Sequence, residues 1–159
     1  MNVSLDEDDL RHLLGSKTRI IAYPTLARYR RIEDALDANG RVMILFLTTS
    51  KTDGHWICIH VSPVQPHTLE FFDSYGLKPD GPRKWLSADE LFQLKETRPL
   101  LTNLLKDAQE RGWNLEYNDH KLQGAGHNVD TCGRHCAVRL KYAHLPIDSY
   151  VALIKNSGL

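Results

Sequence analysis

Cysteine is scarce in this chain, with three residues among 159. So small and odd a number argues against the disulfide framework that staples small secreted domains. Net charge is absent: twenty Lys and Arg offset twenty Asp and Glu. That removes any general electrostatic case for nucleic acid or an anionic membrane. Long apolar runs are absent too. The longest, "VMILFL" at 42–47, falls far short of the roughly 20 residues that span a bilayer. The first ten residues, "MNVSLDEDDL", are acidic and have no apolar core, so no signal peptide is expected. Repeats, low-complexity tracts and linker-like stretches are missing, and the length suits one domain over 1–159. What remains is ordinary for a globular protein: 42 % apolar and 25 % charged residues.

Local signals give a coarse map. Ser4 and Glu7 form a possible capping box for a helix near 5–14, and "RRIEDALDANG" reads as a short helix closed by Gly40. Three strand candidates follow: "RVMILFLT" (41–48), "HWICIHV" (55–61) and "TLEFFDS" (68–74). Their short joins favour antiparallel hairpins. Ser87 and Glu90 make another capping box. "RPLLTNLLKDAQERG" (98–112) reads as a helix, with Pro99 early and Gly112 at its end. "WNLEYN" (113–118) suits a short strand, and helices are expected at about 132–143 and 148–156. The class is α+β: a small antiparallel or mixed sheet packed by helices.

Strand alternation then brings two polar residues together. His55, Ile57, Ile59 and Val61 share a face, as do Leu69, Phe71 and Asp73. Pairing Ile57 with Phe71 and Ile59 with Leu69 centres the turn on residue 64 and sets His55 opposite Asp73. Their Cβ atoms would lie about 5 Å apart. A carboxylate beside an imidazole fixes its tautomer and stabilises its cation, as a general base requires. Two polar residues at strand ends would look the same.

"NVDTCGRHCAVRL" (128–140) holds two of the three cysteines. Asp130 or Thr131 could cap a helix there. Gly133, Cys136, Ala137, Leu140 and Ala143 form a small-residue stripe suited to close packing on a sheet, so Cys136 reads as a buried structural thiol. Cys132 sits in the first turn, where unpaired N–H groups and the helix dipole favour a thiolate. Cys58 falls on the strand face opposite His55 and suits the same site poorly. Cys132, Cys136, His127 and His135 lie close enough in sequence to raise zinc, but a second ligand pair is missing, so no metal is expected.

"GHW" (54–56), "FFDSYG" (71–76), Gln123 and "TCGRHC" (131–136) occur in that order. Together they resemble the adenain-like cysteine proteases, the clan that includes the SUMO-specific proteases. The phrasing is most similar to proteases of large DNA viruses and virus-like transposons. The resemblance covers about residues 41–143. It implies an adenain-like fold with the nucleophile at the start of a central helix. Cys132 would be the nucleophile, His55 the general base and Asp73 its orienting group. Gln123, with the backbone N–H of Cys132, would hold the oxyanion. The gap from Gln123 to Cys132 is long for the family, which leaves Asn128 as an alternative. Trp56 would wall the cleft. The implied function is a cysteine endopeptidase that needs no cofactor and processes viral structural precursors at small or Gly-containing sites. Its partners would be polypeptide substrates, and its location the virion and the host cytoplasm or nucleus. Ubiquitin or SUMO deconjugation is the alternative, and an inactive capsid-associated module a further one. Activation by a peptide or DNA is not carried across; "RYRR" (28–31) could touch DNA but reads first as a solvated helix face.

Overall fold

Apolar side chains dominate 42–46, 56–59 and 69–72, and the corresponding strands are buried on both faces. The computed structural model describes residues 7–47, 54–82, 87–122 and 132–157. Its centre is an antiparallel meander of β2 (Arg41–Leu47), β3 (Gly54–Val61) and β4 (Thr68–Phe72). β1 (Ile20–Ala22) adds to β2 and β5 (Asn114–Tyr117) adds to β4, both in parallel, giving a mixed five-stranded sheet in chain order. The fold is α+β.

Helices cover both faces. On one side, Ile57, Ile59, Leu69 and Phe71 pack with Val42, Ile44 and Phe46 against Tyr23 and Leu26 of a 3-10 helix (Tyr23–Arg28). Ile32 and Ala35 of α2 (Ile32–Ala35) and Leu101, Leu105 and Ala108 of α4 (Leu100–Glu110) complete that core. On the other side, Met43, Trp56, Cys58 and Phe72 meet Leu10 of α1 (Glu7–Leu14), Cys136 and Leu140 of α5 (Cys132–Lys141), and Tyr150 and Ile154 of α6 (Ile147–Ser157). α3 (Ala88–Gln93) carries the expected capping box on Ser87 and Glu90. No described helix is long and apolar enough to cross a membrane.

The structure corrects several expectations and adds a strand. The hairpin register is two residues off: Ile59 pairs with Phe71 and Val61 with Leu69, so His55 and Asp73 are not directly opposite. Side chains alternate with a period of two, so this slip keeps every face and the pattern could not detect it. β4 stops at Phe72, because Asp73 begins a turn in which its Oδ1 accepts the Tyr75 N–H. The helix expected from "RRIEDALDANG" shrinks to one turn, since Leu36 is extended (φ −78°, ψ 147°) and Gly40 (φ 73°) serves the entry into β2. β1, a three-residue strand with half-buried side chains, had no periodic signal to reveal it. The possible caps Ser4, Asp130 and Thr131 lie outside the described residues, as do Gln123, Asn128 and His127. Arg28, Arg30 and Arg31 are exposed, and "RYRR" spans the end of the 3-10 helix and a bend instead of one helix face.

Candidate active site

Gly54 opens β3 because a Cβ there would lie 2.7 Å from the Phe46 carbonyl oxygen and 2.4 Å from Leu45 Cδ1. That close approach seats the next residue, His55, against Phe46 of β2. His55 is 3 % exposed. Its Nε2 lies 3.0 Å from Asp73 Oδ1. His55 lies near the start of β3 and Asp73 one residue past the end of β4, so the two meet diagonally, within reach of an imidazole.

Asp73 is fully buried and held on several sides. Its Oδ1 accepts the Tyr75 N–H at 2.8 Å. Its carbonyl oxygen accepts the Gly76 N–H at 2.9 Å and Asn118 Nδ2 at 2.7 Å. Asn118, 1 % exposed, also donates to the His120 carbonyl and accepts the His120 N–H, so the chain after β5 is strapped to the carboxylate's own backbone.

Cys132 is the first residue of α5 and 2 % exposed. Its Sγ accepts the backbone N–H of Trp56 at 3.3 Å. It also hydrogen-bonds the His55 imidazole. With Nε2 turned to Asp73, the ring nitrogen left for sulfur is Nδ1. α5 packs on the Trp56 and Cys58 side of β3, opposite the side of Ile57 and Ile59 with which His55 alternates, so sulfur and imidazole meet around the end of the sheet. Burial alone would lower the His55 pKa. Hydrogen bonds that the imidazole donates to Asp73 and Cys132, and the charges of both, outweigh it and raise the pKa to about 9. The imidazole is therefore held as a cation between a carboxylate and a sulfur.

Trp56 is 9 % exposed and packs within the α5-side core. Its indole lies over Gly133, where a Cβ would come 3.0 Å from Cδ1. Cys136 is buried; its thiol donates to the Trp56 carbonyl at 3.5 Å. Burial, with Cys58 beside it, pushes the Cys136 thiol well above its ordinary range. It is an unreactive neighbour of the site, and Cys58 packs with it. None of the three cysteines is in a disulfide.

Two contributors were not expected from the sequence. The Tyr75 ring lies over His55 (centroids 5.1 Å apart, planes at 50°). Burial, then the charges of Cys132 and Asp73, raises its phenol pKa. No spacing rule picks out such a cover, although "DSYG" contains it. Asn118 does carry a local signal: an Asn two residues before the N–H it accepts is an Asx turn. Among the described residues, no group of three or more His, Cys, Asp or Glu could hold a metal ion.

Comparison with known proteins adds one relative. The chain is 34% identical over 145 residues to the uncharacterized protein V9 of Sputnik virophage, covering 91% of this chain and 79% of that protein. No family model matches, and no solved structure does. The chain belongs to the family of the virophage protein V9.

Proposed function

We propose that this protein is a cysteine endopeptidase of the adenain-like clan, with Cys132 as nucleophile, His55 as general acid and base, and Asp73 as the group that orients His55. The observation that carries the reading is the chain of contacts from Asp73 Oδ1 to His55 Nε2 (3.0 Å) and from the imidazole to Cys132 at a helix start. A nucleophile, a base and an orienting group in hydrogen-bond sequence form the general apparatus of covalent acyl transfer.

Each group has a defined task. The Trp56 N–H and the His55 imidazolium lie against the Cys132 sulfur and face the charge of its attacking form. The thiolate attacks the scissile carbonyl carbon and forms a C–S bond. The C–N bond breaks as His55 gives its proton to the departing amine. Water then attacks the thioester, His55 takes its proton, and the carboxylic acid leaves as the thiolate is restored. The Cys132 N–H serves the oxyanion. Gln123 is the side-chain donor we assign to the same oxygen. Trp56 is the residue we assign to the wall of the cleft.

The substrates would be polypeptide precursors of viral structural proteins, cut at small or Gly-containing sites in the virion or the infected cell. Kinship to a virophage protein supports the viral setting. A thiol-reactive peptide probe ending in Gly-Gly tests the proposal. Labelling should map to Cys132, survive Cys136→Ala and vanish in Cys132→Ala, together with cleavage of a Gly-Gly-X peptide. Labelling that appears only after denaturation would refute the proposal. Cleavage of ubiquitin or SUMO conjugates alone would replace it with a deconjugating activity.

A further inference from the structure

A cleft of about 600 Å³ is lined in part by the turn that follows Asp73. It lies in a β–α–β arrangement: β4 and the parallel strand β5, with α4 between them in the chain. One wall is the turn after β4 (Gly76 to Pro79), the second is α4 from Thr102 to Gln109, and the third is the end of β5 with Asn118 and Asp119. The cleft lies outside the carboxyl ends of β4 and β5. Asp73 stands at that same end. Two contacts join cleft and carboxylate: Gly76 N–H and Asn118 Nδ2 both donate to the Asp73 carbonyl oxygen.

The lining has a definite chemistry. Leu77, Leu105, Leu115 and Tyr117 give an apolar floor, and Tyr117 remains 41 % exposed. Lys78 and Lys106 stand exposed on opposite walls and have no carboxylate partner among the described residues. Among the described lining residues the only acidic one, Asp119, lies 3.4 Å from His120. The first turn of α4 offers little extra pull on an anion, because Asp80 Oδ2 already accepts the Thr102 N–H. The volume falls within the range of ligand sites.

We infer that this cleft is a subsite for a stretch of the polypeptide substrate that alternates acidic and apolar residues, its apolar side chains on the leucine and tyrosine floor and its carboxylates between Lys78 and Lys106. The inference rests on the peptidase reading for its role in cleavage, but binding tests it separately.

The full chain carrying Cys132→Ala is titrated into two fluorescein-labelled peptides, Glu-Leu-Glu-Phe and Lys-Leu-Lys-Phe, at low salt, and anisotropy is followed. The acidic peptide should bind about tenfold tighter than the basic one, a margin in keeping with two partly exposed ion pairs. K78E/K106E should reverse that order, and Lys155→Glu, an exposed lysine on α6, should leave it unchanged. Equal binding of both peptides, or an equal effect of Lys155→Glu, would overturn the inference. A second arm compares cleavage of Gly-Gly peptides with and without the acidic stretch. Acidic-selective binding without cleavage would sink the peptidase reading and leave the cleft standing. Cleavage indifferent to the stretch would do the reverse.

Discussion

At the residue scale, the site depends on the charge state of one buried imidazole. The His55 pKa of about 9 depends on Asp73 and Cys132 overcoming burial. Asp73→Asn removes the largest favourable contribution, so the His55 pKa should fall by a unit or more, read from the ring carbons of ¹³C-histidine-labelled protein by NMR. Cleavage of a Gly-Gly-X peptide should drop by at least about a hundredfold, as in other triads whose carboxylate is removed. An unchanged His55 titration would mean the contact at 3.0 Å carries no electrostatic weight. Gly133 tests steric demand at the nucleophile. In Gly133→Ala the new methyl would press on Trp56 Cδ1 at 3.0 Å, so the indole or the first turn of α5 must shift. Stability should fall by about 1–3 kcal/mol, as overpacked cores do. Iodoacetamide should alkylate Cys132 more slowly, since Trp56 also supplies the N–H to its sulfur. Urea denaturation and a timed alkylation measure the two effects.

At the element scale, α5 is anchored at both ends. Cys132 faces the triad at its start. Near its end, buried Arg139 donates Nε and Nη2 to Glu70 of β4 at 2.8 and 2.6 Å, and Nη1 to the carbonyls of Tyr142 and Leu145. The guanidinium also lies 4.9 Å from the Tyr150 ring centroid, so one side chain ties α5 to the sheet and to α6. Arg139→Met would strand a buried carboxylate and should cost about 3–5 kcal/mol in urea denaturation, while adding Glu70→Leu should recover most of it. A double variant no more stable than the single would show that the guanidinium acts through the Tyr142 and Leu145 carbonyls instead. None of this was legible beforehand. The stripe from Gly133 to Leu140 predicted the buried face of α5, and those residues are buried. Arg139 lies outside that stripe and is buried only because Glu70, nearly seventy residues earlier, meets it. The hairpin shows the same limit. Alternation assigned His55 and Asp73 to one face and brought them close, but it could not choose between registers two residues apart. That choice is made in the turn, where His67 takes a positive φ of 51° and the Ser62 N–H bonds the Thr68 carbonyl.

At the scale of the whole molecule, the motif-free N-terminal segment completes both cores. Leu10 packs beneath α5, and Tyr23, Leu26 and Ile32 lie on the other face of the sheet. The Tyr23 hydroxyl bonds Asp80 and accepts the Leu100 N–H, while Asp80 caps Thr102, so three distant segments close over the start of α4. Such contacts join residues with no local pattern in common, and only the folded chain reveals them. The global response to pH follows from two buried histidines displaced in opposite directions. His60 lies 3.6 Å from Glu70, yet burial, with Arg139 and Arg41 nearby, lowers its pKa to about 3, because Glu70 is already committed to Arg139. The folded protein therefore refuses a proton that unfolded His60 accepts near 6.5, and stability is lost as pH falls from 6.5 towards 3. His55 works the other way. Its raised pKa contributes stability that is complete below about 6.5 and lost as pH rises through 9. The contributions of these two residues should together peak near pH 6.5, since each limb belongs to a different histidine. Urea denaturation across pH 4 to 10 should show His60→Leu flattening the acid limb alone and His55→Gln flattening the alkaline limb alone. If either substitution flattened both limbs, the two histidines would not be separate, and the opposed burial and pairing assigned to them would be wrong.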